Sequence, residues 1–212
     1  MKLYSFFQSS AAFRVRIALG LKGLAYDYAS VHLTRGEQRQ PAYAAVSSEG
    51  LVPVLELDDG RRLTQSLAII EYLEETWPQP ALLPADAVGR ARARALAQIV
   101  ACEIHPLNNL RVRKYLAHEL KLDEQASLAW YHHWVRLGLL AFEGHLADGP
   151  AGRFCHGDAP TLADCCLAPQ IFNARRFDCD LSGLPRTLAA FDACMALPAF
   201  QRAQPSACPD AE

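Results

Sequence analysis

Residues 2–33, KLYSFFQSSAAFRVRIALGLKGLAYDYASVHL, decide the fold of the first part of the chain. The apolar run Leu3–Phe7 predicts a strand, and Ala11–Leu21 carries apolar residues at helical spacing before a closing Gly23. Tyr26–Leu33 then shows the alternation and β-branched content of a second strand. The stretch therefore predicts a β-α-β unit.

The alternation of strand and helix patterns continues to about residue 80. A strand is predicted at Val52–Leu57, a second strand of a hairpin at Arg61–Leu63, and helices at Pro41–Ala45 and Leu67–Trp77. The order β-α-β-α-β-β-α predicts an α/β layer with helices on a small mixed sheet.

A proline-rich break ends this pattern, and no strand signal follows it. We therefore predict an α/β domain at 1–80, a linker at 81–85 and an all-α domain at 86–212. The second domain begins with a long helix, Asp86–Tyr115, which should kink at Pro106. The other predicted helices are Asp123–Leu146, a helix opened by a Thr161–Asp164 capping box and running through Ala174, Arg186–Met195 and Ala199–Gln204.

Composition excludes several classes of function. The 212 residues are 51% hydrophobic and carry a formal net charge of -2, so no strongly basic field is available for nucleic acid. No apolar run is long enough to cross a bilayer, so we expect no membrane partner. The seven cysteines are odd in number and form no CxxC pair, which favours a reducing, cytoplasmic compartment. His132-His133 lacks metal-ligand spacing, and we predict no metal site.

The start of the first helix poses a question of charge. Arg14 and Arg16 follow Ser9-Ser10 within the first turns, where a cation opposes the helix dipole. Either something negative binds at this helix end, or the serines are caps and the arginines surface charge.

Two other features are open in the same way. Pro53 cannot donate in a central sheet ladder, so Val52-Pro53 indicates an edge or bulge position. The proline is either trans and starts an edge strand, or follows a cis bond. Gln65-Ser66 begins a helix and is either a plain N-cap or an anion site.

Taken together, these features resemble a known family. The chain resembles the zeta class of the cytosolic glutathione transferases, which includes maleylacetoacetate and maleylpyruvate isomerases. The resemblance covers nearly the whole chain, and it implies a thioredoxin-like N-terminal domain, an all-α C-terminal domain and a homodimer. The segments that match are Ser9–Leu19, Gln65–Glu75, His105–Leu110, Gly157–Asp164 and Pro169–Phe177.

The resemblance implies glutathione as the cofactor and gives roles to individual residues. Those predicted at glutathione are Ser9, Ser10 and Ala11 beside the sulfur, Val52 and Pro53 at the cysteinyl backbone, Gln65 and Ser66 at the γ-glutamyl end, and Gln38 at the glycyl end. His105 and Asn109 of the helical domain are predicted to approach glutathione or the substrate, and their i, i+4 spacing suggests one polar stripe. Arg176 is predicted to bind a substrate carboxylate, with Arg111 and Arg14 assisting and Arg175 as the alternative to Arg176. Ser10 is predicted to stabilise the thiolate, because a helix N-terminus and a hydroxyl donor lower the pKa of a thiol.

The sequence departs from the zeta signature at two places. Ala11-Ala12 replace the usual Cys-Ser, so the nucleophilic sulfur must come from glutathione. Ser47–Leu51 departs from the usual approach to Val52-Pro53, which affects the contacts of that loop.

The activity implied by the resemblance is cis–trans isomerisation of maleylacetoacetate, by reversible addition of the glutathione thiolate to the double bond. The alternatives are maleylpyruvate as substrate, conjugation of glutathione to electrophiles such as α-haloacids, and a non-catalytic binding module. The module has no need of Ser10, Ser66 or Arg176, so it is the least favoured of these.

Overall fold

A computed structural model describes residues 1–150 and 152–212. Its strands are β1 (Lys2–Ser5), β2 (Asp27–Ser30), β3 (Val54–Glu56) and β4 (Arg62–Thr64). Its helices are α1 (Ser10–Leu21), α2 (Pro41–Ala44), α3 (Ser66–Thr76), α4 (Ala87–Gln98), α5 (His105–Asn108), α6 (Leu110–His118), α7 (Glu124–Ala147), α8 (Leu162–Arg176), α9 (Pro185–Met195) and α10 (Pro198–Ala203). Short 3₁₀ turns lie at Glu37–Arg39 and Pro205–Ala207, and a π-helical segment at Ile99–Ile104.

The chain forms two compact units, residues 1–82 with 195–212 and residues 83–194. The predicted boundary near residue 80 lies close to this division. The predicted helical domain of 86–212 differs from the second unit at its end, because α10 and the C-terminal residues pack in the first unit, α10 against α1. Within the described residues, no helix combines the length and the apolar character needed to cross a membrane.

The first unit is built on a four-stranded sheet of order β2-β1-β3-β4. The β1–β2 pair is parallel, with Leu3 opposite Tyr28, and the β1–β3 and β3–β4 pairs are antiparallel. A parallel pair needs a crossover, and α1 supplies it, as the β-α-β pattern predicted. Leu3, Ile17 and Leu55 are fully buried, so strand and helix share one core.

Gly23 ends α1 as the sequence predicted. Its φ of 66° lies in the left-handed region, and the Leu24 amide donates to the Leu19 carbonyl at 3.0 Å, as in a Schellman motif. This turn sends the chain back toward β2.

The strand predicted at Val52–Leu57 is shorter than expected. Val52-Pro53 is a cis peptide bond outside the ladder, and β3 begins only at Val54. Since β3 lies between β1 and β4, the predicted edge-strand alternative is wrong. The proline does not interrupt a central strand because it precedes that strand.

The second unit is helical, but its predicted first helix is not continuous. After α4 the backbone passes through the π-helical segment into α5, and Asn109 is extended (φ -70°, ψ 165°) before α6. The Asn109 side chain accepts from the Val112 amide at 3.1 Å, so it is a helix cap. The prediction of one kinked helix over Asp86–Tyr115 is therefore wrong, and the break lies three residues after Pro106.

The capping box predicted at the start of α8 is confirmed. Asp164 is fully buried, and its carboxylate accepts from both the amide and the hydroxyl of Thr161 at 2.8 Å. It also accepts from the Cys155 amide at 2.9 Å, so this box ties the preceding loop to the helix.

Candidate functional site

The connection between β1 and α1 carries the two serines. Ser9 is the N-cap of α1, and its side chain accepts from the Ala12 amide at 3.2 Å. Ser10 is the first helical residue and is only 6% exposed, while Ala11 is half-buried. The paired serines thus have different positions: Ser9 caps the helix, and Ser10 lies in its first turn, where free amides favour negative charge.

The two arginines of α1 are both buried, at 3% exposed for Arg14 and 2% for Arg16. Arg16 donates to the carbonyls of Phe6, Phe7 and Ala203, so it is structural. Neither residue is surface charge. The groups that accept their hydrogen bonds include three carbonyls and the hydroxyls of Ser5 and Ser66.

Arg14 donates from Nη1 to the Ser66 hydroxyl oxygen at 3.3 Å. This contact joins α1 to the beginning of α3 inside the first unit. The prediction that Arg14 binds substrate does not agree with this placement, because the guanidinium is buried and directed at a neighbouring helix.

Ser66 is not the N-cap that one interpretation of the sequence expected. The N-cap is Gln65, with φ 65°, and its side chain makes no capping hydrogen bond to the first turn of α3. The Gln65 amide nitrogen instead lies 3.3 Å from both carboxylate oxygens of Glu49. The beginning of α3 therefore presents amides without a side-chain cap, next to the Ser66 hydroxyl.

Val52 offers backbone groups that the rest of the fold does not use. Its amide and carbonyl have no hydrogen-bond partner among residues 1–150 and 152–212. The neighbouring Leu51 carbonyl, by contrast, accepts from the Tyr43 hydroxyl at 2.6 Å. Burial raises the pKa of this tyrosine, so its hydroxyl remains a donor. Val52 can thus pair with an extended backbone in the manner of an added strand.

Gln38 lies in the 3₁₀ turn that precedes α2. Its amide nitrogen donates to the Leu33 carbonyl at 3.3 Å, while its Oε1 is buried with no partner in the described chain. One hydrogen of the amide nitrogen and the whole acceptor are thus left without a hydrogen-bond partner in the described chain.

Asp210 anchors the C-terminal segment near the connection that carries the serines, which the sequence did not indicate. Its carboxylate accepts from the Phe7 amide at 3.3 Å, the Tyr28 hydroxyl at 2.6 Å and the Ser30 hydroxyl at 2.9 Å. Phe7 lies two residues before Ser9, so the C-terminal segment braces the loop that carries the serines. No local signal could have shown this, because the partners are up to 203 residues apart.

In the second unit, the predicted polar stripe of His105 and Asn109 does not exist as a helix face. His105 begins α5, and Asn109 is the extended cap between α5 and α6. Both side chains are half-buried. Their roles at a ligand stay predictions, without the support of i, i+4 spacing.

The arginines near the end of α8 differ in their partners. Arg175 lies over the Phe191 ring and 3.8 Å from an Asp192 carboxylate oxygen. Arg176 lies over the Phe177 ring at 5.3 Å and has no carboxylate partner in the described part of the chain. This difference favours Arg176 over Arg175 as an anion ligand.

Arg113 is a second cation beside Phe177, and the sequence pattern did not single it out. Its guanidinium lies 4.4 Å from the centroid of the same Phe177 ring and 5.7 Å from that of Tyr131. Like Arg176 it has no carboxylate partner within the described residues. Two cations therefore share one aromatic ring, a concentration of positive charge suited to a dicarboxylate. Arg111 is exposed on α6, and its side chain makes no hydrogen bond, ion pair or ring contact within the described part of the chain.

The cysteines do not supply a nucleophile at the serines. All seven thiols are free, and every one except Cys102 is buried. Burial raises the pKa of Cys208, which packs with Phe6 and Phe7 in the first unit, and it raises that of Cys179 to about 11. These thiols stay protonated at neutral pH, so the first unit offers donors for a sulfur but no reactive sulfur of its own.

Two protein-family models match the chain. Residues 8–76 match the family described as glutathione S-transferase, N-terminal domain, and residues 135–202 match glutathione S-transferase, C-terminal domain.

Three relatives resemble nearly the whole chain. A maleylpyruvate isomerase of a Ralstonia species is 51% identical over 99% of each chain. A holo structure described as maleyl pyruvate isomerase, a bacterial glutathione-s-transferase in Zeta class, is 50% identical over the whole of both chains, with a TM-score of 0.97. A maleylacetoacetate isomerase from Anaeromyxobacter dehalogenans, with bound dicarboxyethyl glutathione and citrate in the active site, is 49% identical, with a TM-score of 0.89 over 100% of this chain and 97% of the other.

Proposed function

The chain belongs to the zeta class of the glutathione S-transferase family, and from this premise we propose that it is a glutathione-dependent cis–trans isomerase of maleylacetoacetate. The observation that carries the proposal is a set of hydrogen-bonding groups in the first unit that the fold leaves unused. These are the Val52 backbone, the Ser66 hydroxyl proton and Gln38 Oε1.

These groups fit the chemistry of glutathione along its length. Val52 offers one N–H and one C=O, which is what the extended cysteinyl backbone needs. Ser66 and the amides at the start of α3 are donors suited to the γ-glutamyl carboxylate. Ser9 and Ser10 are placed at the start of α1 for the sulfur, with half-buried Ala11 beside them.

When bound, glutathione supplies the thiol whose reversible addition to the cis double bond permits rotation about that bond. The protein's part is to hold this thiol as a thiolate. Ser10 can donate its hydroxyl proton to the sulfur, and the first-turn amides of α1 add positive potential. A thiol pKa lowered by two units corresponds to about 2.7 kcal/mol of preferential thiolate stabilisation.

The second unit would bind the dicarboxylic substrate. Arg176 offers a guanidinium without a carboxylate partner, and Arg113 adds a second on the same Phe177 ring. His132 Nε2 lies 2.6 Å from the Phe177 carbonyl oxygen and so helps to fix the residue between these two cations. Fixed positive groups of this kind are suited to binding the two carboxylates of such a substrate.

A direct assay tests the proposal. Purified protein with glutathione should convert maleylacetoacetate to the trans product with no net loss of glutathione. Absence of turnover, or stoichiometric consumption of glutathione into a stable conjugate, would overturn the isomerase assignment.

Maleylpyruvate is a second candidate substrate, favoured by the 51% identity to a maleylpyruvate isomerase. Parallel measurement of kcat/KM for the two substrates decides between them. If kcat/KM for maleylpyruvate exceeds that for maleylacetoacetate by more than about tenfold, maleylpyruvate is the substrate. A tenfold difference corresponds to about 1.4 kcal/mol.

We propose further that the protein acts as a homodimer in the cytoplasm. Seven free thiols support a reducing compartment. Sedimentation equilibrium gives the subunit number, and a monomer at micromolar concentration would contradict the dimer. Fractionation of the source cells gives the compartment.

A further inference from the structure

Arg14 contacts Ser66, one of the residues predicted to bind the γ-glutamyl end of glutathione. Arg14 is on the second turn of α1 and Ser66 is the first residue of α3, and both are nearly fully buried. The Nη1–Oγ distance is 3.3 Å. A buried arginine thus donates a hydrogen bond to the hydroxyl of a candidate ligand residue.

The chemistry of this contact fixes its direction. A guanidinium can only donate, so the Ser66 oxygen must accept. The hydroxyl has a single proton, which therefore points away from Arg14. No acceptor for that proton is found among residues 1–150 and 152–212. Arg14 thereby makes Ser66 a donor toward whatever lies at the start of α3.

The neighbouring groups are donors as well. The first-turn amides of α3 receive no side-chain cap, and the nearby cation withdraws electron density from the Ser66 oxygen. A hydroxyl that accepts from a cation is a stronger donor, because hydrogen bonds in a chain polarise one another. Only an anionic or acceptor group fits such a place, and a carboxylate fits best.

We propose that Arg14 is a positioning residue that makes Ser66 an obligatory donor to the α-carboxylate of the γ-glutamyl group. This inference rests on the proposed function and deepens it. It replaces the earlier expectation that Arg14 binds the substrate: the residue acts on the cofactor end of the site, through Ser66.

Arg16 shows what a purely structural arginine looks like on the same helix. Its bonds go to the carbonyls of Phe6, Phe7 and Ala203 and to the Ser5 hydroxyl. These partners hold β1 and α10 against α1. Arg14 differs because the hydroxyl that accepts from it belongs to Ser66, a candidate ligand residue at the start of α3, whereas Ser5 lies in β1.

The experiment compares two ligands by isothermal titration calorimetry. One is glutathione, and the other is its analogue that lacks the γ-glutamyl α-carboxylate. Arg14→Met should weaken glutathione binding about tenfold, the size of one hydrogen bond to a charged group. The analogue should bind Arg14→Met within about twofold of its affinity for the unmodified protein, because the affected carboxylate is missing.

The background variant Ser66→Ala makes the test specific. It should itself weaken glutathione, and Arg14→Met added to it should change the affinity by less than about twofold, since the intermediary is gone. A merely structural arginine would instead weaken both ligands, and would do so with or without Ser66. Either of those results overturns the inference.

Two controls separate a loss of folding from a loss of the proposed role. Circular dichroism and the melting temperature show whether Arg14→Met folds. If it does not, Arg14→Lys retains the buried charge and carries the same comparison, with a loss of more than about threefold expected for glutathione alone. If the unmodified protein binds no glutathione, the proposed function fails; if it binds and Arg14→Met affects both ligands equally, only the role of Arg14 fails.

Discussion

Replacing Arg176 by methionine tests which residue holds the substrate carboxylate. Arg176 has no carboxylate partner in the described chain, so a bound carboxylate gains a full charge-assisted hydrogen bond there. Such bonds contribute about 1.5–3 kcal/mol, which corresponds to a loss of roughly 10- to 150-fold in kcat/KM for the maleyl substrate.

The adjacent Arg175 is the matched control. Its partner Asp192 lies 3.8 Å away, and the two side chains are 50% and 70% exposed. An exposed pair of this kind contributes at most about 1 kcal/mol, so Arg175→Met should change kcat/KM by less than about fivefold.

The assay is initial-rate kinetics over a range of substrate concentrations, at saturating glutathione, with glutathione affinity measured separately. Arg176→Met should raise KM and leave the glutathione affinity within about twofold, since Arg176 is assigned to the substrate. Equal losses for Arg175→Met and Arg176→Met would refute the argument from partners. An unchanged KM in Arg176→Met would refute the assignment itself.

Three further outcomes follow from the described contacts. Ser10→Ala should raise the pKa of bound glutathione, read as thiolate absorbance in a pH titration; an unchanged titration would leave the α1 amides as the only activator. Asp164→Ala removes the acceptor of four buried donors: the amide and hydroxyl of Thr161, the Cys155 amide and the Cys194 thiol. It should lower the free energy of unfolding by about 3 kcal/mol in urea denaturation, and a loss below about 1 kcal/mol would contradict this account. The pKa of Glu143 is lowered, because the hydrogen bonds that it accepts from the Thr187 hydroxyl and amide outweigh the opposing effect of burial. Its contribution to stability is therefore present above the unfolded pKa of about 4.3 and is lost as the pH falls through the folded pKa. Glu143→Gln should therefore flatten the acid side of the stability profile, and an unchanged slope would show that other carboxylates dominate it.

Much of the fold was predictable because its signals are local. The β-α-β unit of residues 2–33, the closing turn at Gly23 and the capping box at Thr161 each depend on residues within a few positions of one another. Periodicity and capping chemistry act over that range, and the structure confirmed all three.

The errors arose where the tertiary context outweighed the local pattern. Val52-Pro53 looked like the start of a strand, but the apolar pair precedes β3 and lies outside the ladder. The pattern of Asp86–Tyr115 is helical throughout, yet Asn109 caps a new helix, because its side chain competes for the backbone amide of Val112. The spacing of apolar residues does not indicate where a side chain will cap the backbone in this way.

The sequence by itself determined the element types, the family and the candidate residues at each end of the glutathione site. Only the tertiary structure decided what those residues touch. Arg14 and Ser66 are 52 positions apart, and Asp210 reaches Phe7 across 203 positions. A side chain's hydrogen-bond partner depends on which elements pack together, and spacing along the chain carries no information about that. The position of Arg14 near a helix start is therefore explained by Ser66 of α3, a contact that the linear sequence does not show.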